Sequence, residues 1–395
     1  MKIGIITHFS KSTNYGGVLQ AYALAKKLND MGYDAEQISY VANLRNIDFQ
    51  PENKIKQTKK VKIRRILSRI KAKLKRLIFY GKVLKRKNIT KRKRECFNVW
   101  KDKNISSSAR IYNCGNVNDA LNIYDCFITG SDQVWNYNWY DENYFLDFVD
   151  ESKIKISYAA SLGHNEIPKT IEEIFEKHLR SFDAISVREE NMVSLIQPFS
   201  PTRVQWVVDP VFLLQRAEWD SVISFSEDLK NDYIFCYFLG DNKKEREIVR
   251  EYADKKGLKV KTIKDVNVKL SKKLSSSFAD VSLADVDPSQ FLFLVKNAKY
   301  VFTDSFHAIA FSIIYEKQFF VFNRSQNGEM NDRIKSILNL FNIGNRFCEG
   351  ERENLEYVNS LENIDYSIRQ NKFDKLKEQS VKFLKDSLGG CFNGW

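Results

Sequence analysis

No run of apolar residues in this 395-residue chain approaches the roughly 20 that cross a bilayer as a helix. The N-terminus lacks a signal-peptide pattern and starts directly on a strand, Lys2 to Thr7, so a cytoplasmic protein is expected. The six cysteines include no C-x-x-C pair, and Cys126 and Cys236 fall inside apolar strand-like runs, which reads as reduced thiols. The four histidines form no H-x-x-x-H or His/Cys cluster, so nothing in the spacing supports a zinc site. Acid is missing from one long stretch. Residues 53–94 contain 20 of the 63 lysines and arginines and no Asp or Glu, so the rest of the chain sets 43 bases against 50 acids, a net charge of −7. The formal charge of +13 therefore belongs to one segment.

With 43% hydrophobic residues over this length, the chain exceeds one ordinary core and suits two α/β domains. Tyr300 to Phe322 is the most legible stretch. Tyr300, Val301 and Phe302 form an apolar strand, Thr303-Asp304-Ser305 a polar turn, about Phe306 to Tyr315 an apolar helix, and Phe319 to Phe322 a second strand. That is a βαβ unit with parallel strands. His307 falls in the first turn of its helix, where free backbone N–H groups and the positive end of the dipole attract an anion. A histidine there can hold an anionic substrate and move a proton near neutral pH; the competing reading is a buried histidine satisfied by a backbone partner.

The same pattern runs through the N-terminal half. Strand Lys2–Thr7 leads through a polar loop into Tyr15-Gly16-Gly17, which opens a helix carrying Val18, Leu19, Ala21, Tyr22, Leu24, Ala25 and Leu28 at helical spacing. This is not the G-x-G-x-x-G fingerprint, and two readings stand equal: a phosphate cradle, or glycines that let the helix pack closely on the sheet. Further strands end at Gly130-Ser131-Asp132, Ser161-Leu162-Gly163-His164, Arg188-Glu189 and Asp209-Pro210. Doubly wound sheets bind ligands beyond the carboxyl ends of their strands, and those ends carry His8, Asp132, His164, Arg188 and Asp209. His178 lies within a helix and reads as structural. A second series (strand Tyr233–Leu239, helix Lys243–Lys256, strand Leu258–Ile263, helix Pro288–Asn297, then the βαβ unit) follows a polar hinge, Ser224 to Asp232. The expected organisation is a Rossmann-like domain over 1–213 with a basic helical insertion at about 43–103, a second over 214–345, and a helical tail over 346–395 that packs back on the first. The fold class is α/β, two Rossmann-like domains facing across a cleft in a GT-B-like arrangement.

Seven short pieces carry a resemblance. They are Asn14-Tyr15-Gly16-Gly17 with Gln20, Gly130-Ser131-Asp132-Gln133-Val134-Trp135, Tyr158-Ala159-Ala160-Ser161-Leu162-Gly163, Ser186-Val187-Arg188-Glu189, Asp209-Pro210-Val211-Phe212-Leu213-Leu214, Thr303-Asp304-Ser305-Phe306-His307-Ala308 and Asn331-Asp332-Arg333. In this order, over nearly the whole chain, they resemble the polysaccharide pyruvyl transferase family. The resemblance implies an enzyme that moves the enolpyruvyl carbons of phosphoenolpyruvate onto two hydroxyls of a sugar, in a polysaccharide or a lipid-linked precursor, leaving a cyclic pyruvate ketal. Phosphoenolpyruvate is the co-substrate, and no metal or other cofactor is implied. The donor's phosphate and carboxylate need fixed cations, for which Arg188 and Arg333 are the candidates. His307 supplies acid or base, while Asp132 or Asp304 takes the hydroxyl proton. Asn14, Tyr15, Gly16, Gly17, Ser131, Trp135, His164 and Ser305 complete the expected substrate site. Two of these keep a bland alternative: a turn cap for Asp132 and a packing role for Trp135. A nucleotide-sugar glycosyltransferase of the same fold and a non-enzymatic basic binding protein are the rival functions.

The basic segment lies outside the resemblance. Ile63, Ile66, Leu67, Ile70, Leu74, Leu77 and Ile78 recur at helical steps with Lys and Arg on the other faces, as in a helix lying in a membrane interface. Residues 54–94 are accordingly expected to dock an anionic membrane surface, placing the protein peripherally on the inner face beside a saccharide acceptor, free or polyprenyl-linked. Nucleic acid is the weaker partner, because the segment offers only Phe79 and Tyr80 for stacking. A helical hairpin with solvated charges is the plain alternative.

Overall fold

The computed structural model describes residues 1–45, 90–224, 233–264, 278–324, 332–368 and 371–389. The Ile63–Ile78 face, the hinge residues 225–232 and Asn331 lie outside the described residues. Among the described residues two parallel sheets form. The first consists of β1 (Lys2–Ile6), β2 (Asp34–Tyr40), β3 (Ser107–Tyr112), β4 (Cys126–Thr129), β5 (Ile154–Ala160), β6 (Ala184–Val187) and β7 (Gln205–Trp206), in the order β3-β2-β1-β4-β5-β6-β7. The second consists of β8 (Tyr233–Tyr237), β9 (Lys259–Ile263), β10 (Val281–Leu283), β11 (Tyr300–Thr303), β12 (Gln318–Phe322) and β13 (Phe347–Cys348), in the order β10-β9-β8-β11-β12-β13. β13 extends the second sheet past the expected boundary at 345. Each sheet reverses its strand order once, between β1 and β4 and between β8 and β11. A crevice opens at such a point beyond the carboxyl ends of the strands.

The two sheets share one apolar core. Helix Tyr15–Asp30 is buried along most of its length, which suits its Val18, Leu19, Leu24 and Ala25 but gives it no polar outer stripe until its last turn. It lies between the domains. Tyr15 stacks on Phe291 of helix Pro288–Lys296, with ring centres 4.5 Å apart, and donates its hydroxyl to the Val286 carbonyl at 2.8 Å. Tyr22 meets Trp219, which packs edge-on against Phe311 of helix Phe306–Ile314. The last part of the basic insertion also joins this core. Residues 90–104 are helical and bury Phe97 and Trp100, three apart on one face, against Tyr15 and Tyr22. Arg92 reaches Asp285 of the second domain, 3.8 Å away.

After the second sheet the chain returns to the first domain. Helix Asn371–Leu388 packs Phe383 against Tyr158, and its Ser380 hydroxyl accepts a hydrogen bond from the Val208 amide at 2.9 Å. Five cysteines in the described residues, Cys96, Cys114, Cys126, Cys236 and Cys348, are free thiols. Among the described residues no helix is long and apolar enough to cross a membrane.

Because Tyr15 fills the interdomain core, Tyr15→Ala should cost about 3–5 kcal/mol, the usual range for deleting a large buried ring. Chemical denaturation of the two proteins checks this; a loss below about 1 kcal/mol would mean that the stack contributes little.

Candidate active site

Residues from both reversal points meet where helix Tyr15–Asp30 touches the start of helix Phe306–Ile314. The side chain of Asn14 caps the first of these helices, accepting from Gly16 N at 2.9 Å and Gly17 N at 3.3 Å. Those amides are therefore taken, and of the two equal readings for the glycines the structure supports close packing. The partner is not the helix's own sheet, however. A Cβ on Gly16 would lie 1.9 Å from His307 Nδ1, so the imidazole of the second domain rests directly on the Gly16 backbone of the first. Gly17 makes room in the same way for the His8 carbonyl and the Asp132 carboxylate. Gln20 ties this corner together. Its amide nitrogen donates to Thr7 Oγ1 and Gly17 O, and its amide oxygen accepts from Ser131 N.

Helix Phe306–Ile314 begins without a side-chain cap, because the Ser305 hydroxyl makes no bond to its first turn. Its opening amides thus lack a side-chain acceptor, the condition in which a helix terminus can receive an anion. Around it stand charged groups from four other places in the chain. Arg188, at the end of β6, donates from Nε to Glu189 Oε1 at 2.9 Å and from Nη1 to Asp209 Oδ2 at 3.1 Å, with Asp132 Oδ1 at 3.7 Å. Its guanidinium lies over the Phe306 ring, 4.6 Å from the centroid. Arg333, on helix Asp332–Leu340, lines the same small cavity beside Phe306. Two of these buried guanidinium nitrogens, Arg188 Nη2 and Arg333 Nε, have no hydrogen-bond partner. His307 Nε2 is likewise buried, 3.5 Å from Asp209 Oδ2, at the outer limit of a hydrogen bond.

The electrostatics follow from this crowding. Burial alone would raise the Asp209 carboxyl, yet His307 and Arg188 outweigh it and hold the group at about 2. Asp132 is also lowered against its burial, by Arg188, His307, His8 and Arg333. Burial, the neighbouring Arg188 and Arg324 push Arg333 down to about 10, so it remains a cation at neutral pH. Arg188 is raised, because Glu189, Asp209 and Asp132 more than offset its desolvation. The crevice thus holds ionised carboxylates beside two arginines, of which Arg188 Nη2 and Arg333 Nε make no hydrogen bond within the protein.

Not every expected site residue faces it. Tyr15 is committed to the interdomain stack. Trp135 is 1% exposed and stacks on Phe145 in the first-domain core, so no sugar reaches it. Asp304 is fully buried, and its carboxylate accepts from Leu239 N at 2.7 Å and Gly240 N at 2.6 Å, which binds the loop after β8 to the end of β11. With both oxygens so engaged, it is placed to hold that loop and not to take a hydroxyl proton. Ser131 turns inward, its hydroxyl donating to Ala159 O. His164 stacks on Tyr137 and contacts Asn136 and Asn138 at the outer edge of the loop that begins at Asp132. His178 is structural, between Tyr140 and Asp147. Left in the crevice are Gly16, Gly17, Asp132, Arg188, Ser305, His307 and Arg333. Asp209 and Glu189 join them without having been assigned a role from sequence; each lies within three residues of the end of a strand, which was the available signal.

The family model for polysaccharide pyruvyl transferase matches residues 14–326. The chain belongs to that family. No curated protein matches the sequence. Among solved structures this pyruvyl transferase family member resembles Arabidopsis thaliana UGT89C1, with a TM-score of 0.51 at 9% identity over 98% of both chains. It also resembles the S. aureus MnaA–UDP co-structure, with a TM-score of 0.50 at 11% identity over 98% of this chain and 97% of the other. At such identities the likeness concerns the fold, and it is GT-B-like.

Gly16→Ala tests the seat of His307 in this family member. The added methyl cannot fit without moving the imidazole, so turnover should fall by about 100-fold or more, as for an ångström-scale misplacement. Full activity with unchanged thermal unfolding would show that the imidazole has another place to sit.

Proposed function

We propose that this chain transfers the enolpyruvyl unit of phosphoenolpyruvate to two hydroxyls of one sugar residue, forming a cyclic pyruvate ketal and releasing phosphate. The observation that carries the reading is the set of unsatisfied donors, Arg188 Nη2, Arg333 Nε and the uncapped start of helix Phe306–Ile314, gathered around His307. Phosphoenolpyruvate presents two anionic groups on three carbons, and two buried guanidinium groups with a helix terminus suit both. Family membership supports the reaction class.

In this reading the first hydroxyl adds to C2 as a proton goes to the methylene carbon, and the second displaces phosphate from the same carbon. Of the two hydroxyl protons lost, one is replaced in the new methyl group and the other in the departing phosphate, so the protons balance. His307 is the acid that serves the methylene carbon, because its Nε2 is buried beside the guanidinium groups and makes no hydrogen bond within the protein. Asp132, kept ionised by its cationic neighbours and reachable from the crevice, takes the hydroxyl proton. The oxyanions are held by Arg188, Arg333 and the helix amides.

The test is phosphate release from phosphoenolpyruvate that depends on a glycoside acceptor and yields an acid-labile mass gain on it. His307→Gln should abolish this while the protein still folds and unfolds cooperatively. Arg333→Ala should raise the KM for phosphoenolpyruvate by about tenfold or more while kcat changes less. Arg188→Ala is a poorer probe, since it leaves Asp209 and Glu189 buried without their cation. Turnover that requires a nucleotide sugar instead of phosphoenolpyruvate would replace this reading.

The acceptor, in the same proposal, lies at an anionic membrane surface, free or carried on a polyprenyl lipid at the cytoplasmic face. The support is the run of 20 basic residues without an acid in 53–94, whose described end, residues 90–94, runs into the helix beside Tyr15. Each cation near such a surface adds about 1 kcal/mol, screened by salt. The protein should sediment with anionic vesicles at low salt, be released as salt rises, and lose this binding when residues 55–92 are removed. Equal binding to neutral vesicles would contradict the placement.

A further inference from the structure

Among the described residues, Asp209 is the one carboxylate within 4 Å of both Arg188 and His307. It is 2% exposed, and its Oδ1 accepts from Val211 N at 3.1 Å, which fixes the side chain against the turn that Pro210 begins. Its Oδ2 receives Arg188 Nη1 at 3.1 Å, lies 3.4 Å from Ser131 Oγ, whose proton goes to Ala159 O, and faces His307 Nε2 at 3.5 Å. The residue belongs to neither sheet. It sits on the strip that leaves β7, and that strip is held from outside by the C-terminal helix. Val208 N donates to Ser380 Oγ at 2.9 Å, Val208 O accepts from the Tyr158 hydroxyl at 3.1 Å, and Ser380 is fully buried.

We propose, resting on the pyruvyl transfer reading above, that Asp209 is a positioning residue that aims His307 and Arg188 at one donor molecule, and that Ser380 of the C-terminal helix holds Asp209 in place. Arg188 and His307 come from different domains, so neither sheet alone can fix their separation. A buried carboxylate between them does so by charge and by geometry, and it contacts no substrate itself. Asp132 from the loop after β4 and Glu189 beyond β6 are the other acids of the crevice, whereas Arg188, Arg333 on helix Asp332–Leu340 and His8 after β1 are its basic groups. Removing Asp209 leaves that balance more positive. The imidazole then loses the carboxylate 3.5 Å from its Nε2, and with it the charge that the pH profile reads.

Asp209→Asn keeps the shape and the acceptor for Val211 N while removing the charge. In assays of acceptor-dependent phosphate release, kcat should fall about tenfold or more, and the alkaline limb of the kcat/KM profile should move about one pH unit or more toward acid. Glu189→Gln, which touches Arg188 but not His307, should raise the KM for phosphoenolpyruvate and leave that limb in place. A merely structural Asp209 would lower the unfolding temperature and soluble yield without moving the limb. An unmoved limb in folded Asp209→Asn, or an equal displacement in Glu189→Gln, overturns the proposal.

If Asp209→Asn does not fold, Ser380→Ala carries the test. It leaves the Val208 amide without its partner far from any substrate, and kcat should fall severalfold with the limb moving the same way; wild-type kinetics overturn the proposal. One readout does not depend on turnover. In denaturation of Asp209→Asn, His307→Gln and the double variant, the losses should be non-additive, as for residues in contact, and additive losses overturn the pairing. Failure of the pyruvyl transfer reading is separately visible, as absence of phosphate release by the wild-type protein.

Discussion

The imidazole of His307 rests on Gly16 of the other domain with no space for a methyl group between them, and the site depends on that contact. A doubly wound sheet offers a crevice at its reversal point, but one crevice supplies only part of what this chemistry needs. The first sheet contributes Asp132 and Arg188 from the ends of β4 and β6. The second contributes a histidine on an uncapped helix terminus and, further along, Arg333. Bringing them within a few ångströms buries several charges together, which is unfavourable unless each finds an opposite partner. Asp209 and Glu189 satisfy Arg188. Asp132 then stays ionised among cations, and Arg188 Nη2 and Arg333 Nε have no protein acceptor.

The separation of the two halves is set by apolar packing, not by the ions. Tyr15, Tyr22, Phe97 and Trp100 on one side meet Phe291, Trp219 and Phe311 on the other in a core that continues from sheet to sheet. Non-directional burial brings the domains together, and the glycine then decides how closely the helix starts can approach. The same packing gives the basic segment a fixed root, since helical residues 90–104 carry Phe97 and Trp100 into the interdomain core while Arg92 reaches the second domain. Charge at this root stands beside the crevice.

Much of the fold was legible because periodicity and turn chemistry agreed. Ala184–Val187 and Lys243–Lys256 fall where their apolar spacing places them, and the βαβ unit around His307 is off by a residue at its edges. The strands that escaped were β3, β10 and β13, short sheet-edge or near-edge pieces whose sequences are polar or too brief to alternate. In the site, strand ends pointed to Asp132, Arg188 and His307, because the position of a residue at a carboxyl end is a local property. What each side chain then does is not local. Asp304 and Asp132 both follow a strand in an Asp/Ser-containing turn, yet one is consumed by two backbone amides and the other faces the crevice. Trp135 and Tyr15 carry rings that suit a sugar, and tertiary burial claimed both. The pairing of Gly16 with His307 joins positions almost 300 residues apart, beyond the reach of any spacing rule.

The most direct measurement is a crystal structure of the protein with phosphoenolpyruvate bound in the absence of acceptor. The donor should lie between the domains, its two anionic groups contacting Arg188 Nη2, Arg333 Nε and the first amides of helix Phe306–Ile314, with the methylene carbon toward His307 Nε2. Phosphoenolpyruvate seated away from Arg188 and Arg333, with His307 turned from it, would contradict the account.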